Sequence, residues 1–120
     1  MASQTINGKA FEYALLFEFY ERLNKLTNVS ITENEPYKTA KGFFDSFEET
    51  EQDTFRITAS ASINFLLDIE PRLSNGISEN DILVLELVSD QAGQTGDVRD
   101  VLMIRSLQKW EIGISAKNNH

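Results

Sequence analysis

The stretch that most constrains the fold is residues 96–117, which read GDVRDVLMIRSLQKWEIGISAK. From Trp110 onward, apolar residues alternate with polar or small residues, as expected of a β-strand with one face on a core. The apolar run before it and the polar turn at residues 106–109 supply an antiparallel partner. We therefore predict a hairpin whose strands are residues 98–105 and 110–117.

A further strand is predicted at residues 82–88, where ILVLELV forms an almost continuous apolar run. Runs of this kind are typical of a central strand that is covered on both faces. Residues 29–32 provide one candidate for a short edge strand, which we do not count in the predicted sheet. The expected sheet therefore has three strands and is mainly antiparallel.

Three helices precede the sheet in the sequence pattern, and their predicted ranges are residues 9–26, 36–47 and 51–69. In the first, Phe11, Leu15 and Phe19 recur at helical spacing and form an apolar stripe. Pro36 suits the first position of the second helix, and Pro71 ends the third. Helices followed by strands predict an α+β fold in which the N-terminal helices pack on the sheet.

Composition narrows the classes of protein to consider. The chain has 120 residues, the size of one domain, and 19 acidic against 11 basic side chains give a net charge of -8. Because phosphate contacts need clustered Lys and Arg, this charge argues against strong nucleic-acid binding by this chain alone. The absence of cysteine excludes disulfides and cysteine-ligated zinc, and it favours a reducing cytoplasm. No apolar run approaches the roughly 18 residues of a membrane span, so we expect no membrane partner.

Acidic and basic side chains gather on the predicted hairpin. Asp97 and Asp100 stand at the start of its first strand, and Glu111, Ser115 and Lys117 share one face of its second. Carboxylates can hold a divalent magnesium ion, which activates a water molecule and neutralises charge that develops on a phosphate. A neighbouring lysine can orient that water or stabilise the transition state. These residue types are therefore the ingredients of a metal-dependent nuclease, with Ser115 as a secondary candidate.

The residues alone leave two questions open. Asp97 and Asp100 are three positions apart, so a regular strand cannot direct both side chains to the same side. Glu12 lies at the edge of the first helix's apolar stripe. It is either a solvated acid favoured by the helix dipole or a carboxylate turned toward a site on the sheet. The simplest alternative is that all of these acids are ordinary solvated side chains.

Two blocks, GDVRDVLMI and WEIGISAK, resemble the catalytic core of the PD-(D/E)-x-K nucleases, and specifically the HaeIII family of type II restriction endonucleases. The early segment NGKAFEYA, residues 7–14, is similar to the start of that family. The resemblance implies a magnesium-dependent enzyme, with manganese as a substitute metal. It further implies hydrolysis of double-stranded DNA at a short palindrome, GGCC in this family, and a partial PD-(D/E)-x-K fold.

On this resemblance, the family's acid at the start of the strand corresponds to one of the two aspartates of the hairpin, and its final lysine corresponds to Lys117. Superfamily members usually carry an acid two residues before that lysine, where this chain has Ser115. The ligand role is then expected to move to Glu111 or to Glu12. The candidate metal ligands are therefore Glu12, Asp97, Asp100 and Glu111, and the candidate catalytic residues are Asp97, Asp100, Glu111 and Lys117.

The resemblance also bears on domain organisation and partners. The family's later helix and strand, and a basic surface for DNA, have no counterpart before His120. Residues 1–120 are therefore expected to be a single domain that forms the N-terminal part of a larger endonuclease-like domain. Enzymes that cut palindromes are usually two-fold dimers, so a homodimer is one expectation. The alternative is a catalytically inactive, acidic nuclease-like module that docks a basic protein or subunit.

Overall fold

The computed structural model describes residues 4–88 and 99–115 and has an α+β architecture, with helices on one face of a mixed sheet. Its elements in chain order are helix α1 (Gln4–Leu23), strand β1 (Asn28–Ile31), helices α2 (Glu35–Asp45) and α3 (Glu49–Ile69), a 3-10 turn (Pro71–Ser74), and strands β2 (Ile82–Leu87), β3 (Val101–Arg105) and β4 (Trp110–Ile114). The predicted α+β class and the presence of three helices are confirmed. None of the helices in these ranges is long and apolar enough to cross a membrane.

Within the described residues the sheet has four strands in the order β1-β2-β3-β4, whereas the sequence predicted three. β1 pairs with β2 in parallel, with Asn28 opposite Ile82, and the other two pairings are antiparallel. The three-strand prediction is wrong because β1 has only four residues, NVSI, which is too short an alternation to give a strong signal. Its parallel partner lies beyond α2 and α3, since a parallel pair requires a long crossover.

The ends of the elements differ from the prediction mainly at the sheet. β3 begins at Val101 and not at residue 98, and β4 ends at Ile114 and not at residue 117. Residues 98 and 117 themselves lie outside the described ranges. The largest shift among the helices is at the start of α1, which lies at Gln4 and not at residue 9.

The core lies between the helices and one face of the sheet, which we call the inner face. Alternate side chains of the central strands point into it and are almost fully buried: Leu83, Leu85 and Leu87 of β2, and Val101 and Met103 of β3. α1 lies across this face through its buried residues Leu16, Phe19 and Leu23, and it also contacts α2 and α3. α1 is therefore held on several sides, which makes it a rigid support for any side chain on its sheet-facing stripe.

A buried ion pair anchors the far end of β3. The Nη1 atom of Arg105 lies 3.3 Å from Asp81 Oδ1, and both side chains are fully buried. Nη2 of the same guanidinium donates to the Leu73 carbonyl at 2.8 Å and to Thr27 Oγ1 at 3.1 Å. Gln108 Nε2 donates to Asp81 Oδ2, and this hydrogen bond is the largest of the effects that lower the pKa of Asp81. The cluster joins β3 to the segments that precede β1 and β2.

Candidate active site

Three strand ends meet at one edge of the sheet, which we call the Asp100 edge. β2 ends at Leu87, β3 begins at Val101 and β4 ends at Ile114, and the pairing register aligns these three residues in a row. The start of α2 lies at the same edge, because Asn34 Nδ2 donates to the Leu87 carbonyl at 3.2 Å. Asp100 directly precedes the row, so the candidate residue at the start of β3 stands where four elements converge.

Asp100 occupies a β-bulge. Its carbonyl accepts a hydrogen bond from the Val88 N–H at 3.0 Å, while its own N–H donates to the Ile114 carbonyl at 2.8 Å. In a regular antiparallel strand the N–H and C=O of one residue are directed at the same neighbouring strand, but those of Asp100 are directed at opposite neighbours. Ile114 is already paired with Val101, so two residues of this segment oppose one residue of β4. Bulges re-aim side chains, and they are common next to active sites.

The position of the Arg99 side chain indicates the direction in which the bulge turns the side chain of the next residue, Asp100. An ideal Cβ on Gly113 would lie only 2.6 Å from Arg99 Cγ and 3.1 Å from Arg99 Cβ, so this side chain lies directly over Gly113. Arg99 Nη1 reaches Glu111 Oε1 at 3.2 Å. Gly113 and Glu111 alternate with the core-packed Ile112, so they belong to the outer face of the sheet. Arg99 therefore lies on the outer face of the sheet, and we expect the next side chain, that of Asp100, to be directed to the inner face.

Glu12 faces the same side of the sheet from α1. It precedes Leu16, Phe19 and Leu23 by four, seven and eleven residues, so it shares the helical stripe that packs on the inner face. Glu12 itself is half-buried. This placement favours a carboxylate turned toward the sheet over a fully solvated acid.

The direction of α1 brings Glu12 to the Asp100 edge. Phe11, the residue before Glu12, lines a cavity of about 170 Å³ together with Ile114 and Ser115. Ile114 is also the residue whose carbonyl binds the Asp100 N–H. The turn of α1 that carries Glu12 therefore lies near the Asp100 edge, where Asp100 directly precedes β3. Ser115, the exposed secondary candidate, directly follows β4 at this edge.

The structure does not bring Glu111 to the Asp100 edge. Glu111 pairs with Ile104, four residues along β3 from Asp100. At roughly 3.3 Å per residue, this separates the two carboxylate-bearing positions by about 13 Å along the strand. The oxygen ligands of magnesium lie only about 2.0–2.1 Å from the ion. The separation along the strand is therefore too large for Asp100 and Glu111 to bind one ion. Asp97 and Lys117, the other two candidates, lie outside the described residues.

Sequence reasoning assigned no role to Arg99 or Gly113. A signal was present, because a glycine inside a strand often marks the close approach of another group. Gly113 is such a glycine, at the centre of β4. The sequence alone does not predict that Arg99 is the residue that approaches Gly113, because this contact depends on the bulge at Asp100.

The candidate residues near the Asp100 edge include the residue type that binds magnesium. Magnesium prefers oxygen ligands and is commonly bound through one or two carboxylates, with water and substrate phosphate completing its shell. Asp100 and Glu12 supply two such carboxylates. Across residues 4–88 and 99–115, no three His, Cys, Asp or Glu side chains come close enough to enclose a metal.

Comparisons with known proteins agree with the resemblance found in the sequence. Residues 8–120 match the HaeIII restriction endonuclease family. The type II restriction enzyme HaeIII of Haemophilus aegyptius is 32% identical to this chain over 114 residues, which cover 95% of the chain and 35% of that enzyme. The chain therefore spans about a third of the length of this relative. No solved structure matches the chain. On the family match and this identity, the chain belongs to the HaeIII restriction endonuclease family.

Proposed function

We propose that this protein is, or forms part of, a magnesium-dependent type II restriction endonuclease that hydrolyses phosphodiester bonds of double-stranded DNA. The observation that carries the proposal is the family match, and it is supported by the position of Asp100 at an edge of the sheet near which the Glu12 turn of α1 also lies. By resemblance, the target is the palindrome GGCC, manganese can replace magnesium, and the fold is part of a PD-(D/E)-x-K core.

Asp100 and Glu12 are the proposed metal ligands, and Asp97 is a further candidate ligand that rests on resemblance alone. Ser115 carries no charge, so it does not replace the carboxylate that the superfamily usually has there. We propose Glu12 as the substitute over Glu111, because its neighbour Phe11 lines a cavity with Ile114 and Ser115 at the Asp100 edge, whereas Glu111 is about 13 Å away along the strand. When bound, the ion would lower the pKa of its water and neutralise charge on the phosphate.

Groups of the chain itself would hold the two carboxylates and the attacking water in position. The backbone of Asp100 is hydrogen-bonded to strands on both sides, and Glu12 stands on a well-packed helix, so both carboxylates have little freedom to move. Lys117 is proposed to orient the attacking water or to donate to a phosphate oxygen. In the reaction, the water oxygen bonds to phosphorus as the bond from phosphorus to the leaving oxygen breaks, and that oxygen takes up a proton.

The charge of the chain bears on how DNA is held. With a net charge of -8, this chain lacks the excess of Lys and Arg that phosphate contacts require. It also spans only 35% of its relative. We therefore propose that residues 1–120 correspond to the N-terminal part of a larger endonuclease domain, and that most DNA contacts come from the rest of that domain. A two-fold homodimer would match a palindromic target, and the cytoplasm is the proposed location.

The proposal is tested by incubating a plasmid that carries several GGCC sites with the protein, in magnesium and in EDTA. We expect a discrete, magnesium-dependent ladder of fragments, and we expect Asp100→Asn to abolish it. Asp45→Asn is the matched control, because it makes the same chemical change at an exposed position on α2. Cutting that survives in EDTA, or in Asp100→Asn, would contradict the proposal.

The second candidate function is a catalytically inactive acidic module that docks a basic protein or subunit. The net charge of -8 is the observation that favours it. This alternative predicts salt-sensitive binding to a basic partner and no magnesium or manganese binding at the Asp100 edge.

A further inference from the structure

We infer that Arg99, Gly113 and Glu111 form a clamp that holds the bulge at Asp100 and thereby directs the Asp100 carboxylate to the inner face. These three would be positioning residues, since they act through Asp100. The structural part of this inference stands on the contacts of the clamp, and its consequence for metal binding rests on the proposed function.

Gly113 provides a groove for the side chain of Arg99. A Cβ at this position would lie 2.6 Å from Arg99 Cγ and 3.1 Å from Arg99 Cβ, with Cδ closer still. These atoms belong to the stem of the side chain and not to its flexible tip. A rotation of the guanidinium alone would therefore not relieve the clash: the stem of the Arg99 side chain would have to leave Gly113, and its Cβ would have to shift by a few tenths of an ångström. The absence of a side chain at Gly113 is what lets Arg99 lie flat on β4.

Glu111 anchors the tip of the Arg99 side chain. Its Nη1 lies 3.2 Å from Glu111 Oε1, with both side chains partly exposed, at 39% and 49%. An exposed pair of this kind contributes little to overall stability. Its effect is local, because it holds the Arg99 side chain on the outer face. This gives Glu111 a role in the hairpin without requiring it to reach the metal.

The clamp determines the direction of the Asp100 side chain. With Arg99 held on the outer face, alternation directs the next side chain, that of Asp100, to the inner face. If the clamp is lost, the bulge can relax into the regular register, in which Asp100 follows the alternation of Leu102. A change of one residue in register moves a side chain to the other face, which here is the face away from Glu12. The clamp therefore selects between two arrangements of the Asp100 carboxylate.

The structural test is amide hydrogen exchange at Asp100, measured by NMR. Gly113→Ala should displace Arg99, weaken the hydrogen bond from the Asp100 N–H to Ile114, and speed exchange of that amide by roughly 5–30-fold. Gly42→Ala is the matched control, because a Cβ there meets nothing within 4 Å. Unchanged exchange at Asp100 in Gly113→Ala would overturn the inference.

A double-mutant cycle separates the clamp from a general effect of alanine in β4. If Gly113 serves only to accommodate Arg99, then Gly113→Ala should have no further effect on Asp100 exchange once Arg99 is alanine. Equal effects of Gly113→Ala in both backgrounds would overturn the inference.

The functional test is manganese binding by the intact chain. We expect Gly113→Ala to weaken manganese binding by about 10–100-fold, the usual loss when a group that orients a metal ligand is removed. Gly42→Ala should leave binding unchanged. Native-like manganese affinity in Gly113→Ala would overturn the link between the clamp and the site. If the unsubstituted chain binds no manganese, the proposed function fails, and the exchange measurements alone decide whether the clamp exists.

Discussion

Replacing Arg105 with methionine should destabilise the protein strongly, although the substitution is far from the Asp100 edge. Methionine fills much of the same volume but removes donors to the Leu73 carbonyl, to Thr27 Oγ1 and to Asp81. Breaking a buried, hydrogen-bonded ion pair from one side typically lowers the free energy of unfolding by about 3–5 kcal/mol. For a chain of this size, the loss corresponds to a fall of roughly 10–20 °C in the midpoint of thermal unfolding.

The assay is thermal and urea unfolding followed by circular dichroism, with Lys41→Met as the control. Lys41 pairs with Asp45 at 2.9 Å on the surface of α2, so its replacement should leave the midpoint almost unchanged. The double variant Arg105→Met with Asp81→Leu should recover much of the lost stability, because no buried charge is then left unpaired. A single Arg105→Met variant as stable as the Lys41→Met control would refute the reasoning.

Three further predictions concern stability. The pKa of Asp81 is lowered, first by the hydrogen bond from Gln108, so its folded pKa lies below the unfolded value of about 3.9. The stability contributed by the Asp81 carboxylate is therefore fully present above that value and is lost as the pH falls through the folded pKa. At acid pH, the free energy of unfolding should fall less steeply with decreasing pH in Asp81→Asn than in the unsubstituted chain. Identical pH profiles of the two proteins would contradict this prediction. Leu16→Ala removes a fully buried side chain and should lower the free energy of unfolding by about 2–5 kcal/mol, whereas Leu26→Ala, at a residue 62% exposed, should have a far smaller effect. Gly42→Ala, inside α2 and free of clashes, should raise the free energy of unfolding by up to about 1 kcal/mol in urea titrations, and a loss of stability would contradict the placement of that helix.

The helices were the most predictable part of the fold, because their apolar side chains recur at 3.6-residue spacing over many turns. The position of Glu12 follows from the same periodicity, since a residue four and seven places before Leu16 and Phe19 must share their face. The short strand β1 was not counted, because two apolar residues in four give almost no periodic signal. Its parallel pairing with β2 depends on a crossover of two helices, which no local pattern encodes.

The candidate site was predictable in composition but not in geometry. The pattern around Asp100 indicates a strand, yet the direction of its carboxylate depends on a bulge that is determined by a partner strand. The burial of Arg105 was also difficult to predict, because two sequence signals disagree. The alternation of β3 places its side chain on the core side, whereas its charge predicts exposure to solvent. Its burial depends on partners distant in the chain, namely Asp81, Leu73 and Thr27.

The central claim is that Asp100 and Glu12 hold one divalent ion at the Asp100 edge. The most direct test is a manganese titration followed by paramagnetic broadening of backbone amide signals in the intact chain. The account predicts that the amides of Glu12, Asp100 and Ser115 broaden first, and that Asp100→Asn abolishes this pattern. Broadening that centres on Glu111, or that survives unchanged in Asp100→Asn, would contradict the account.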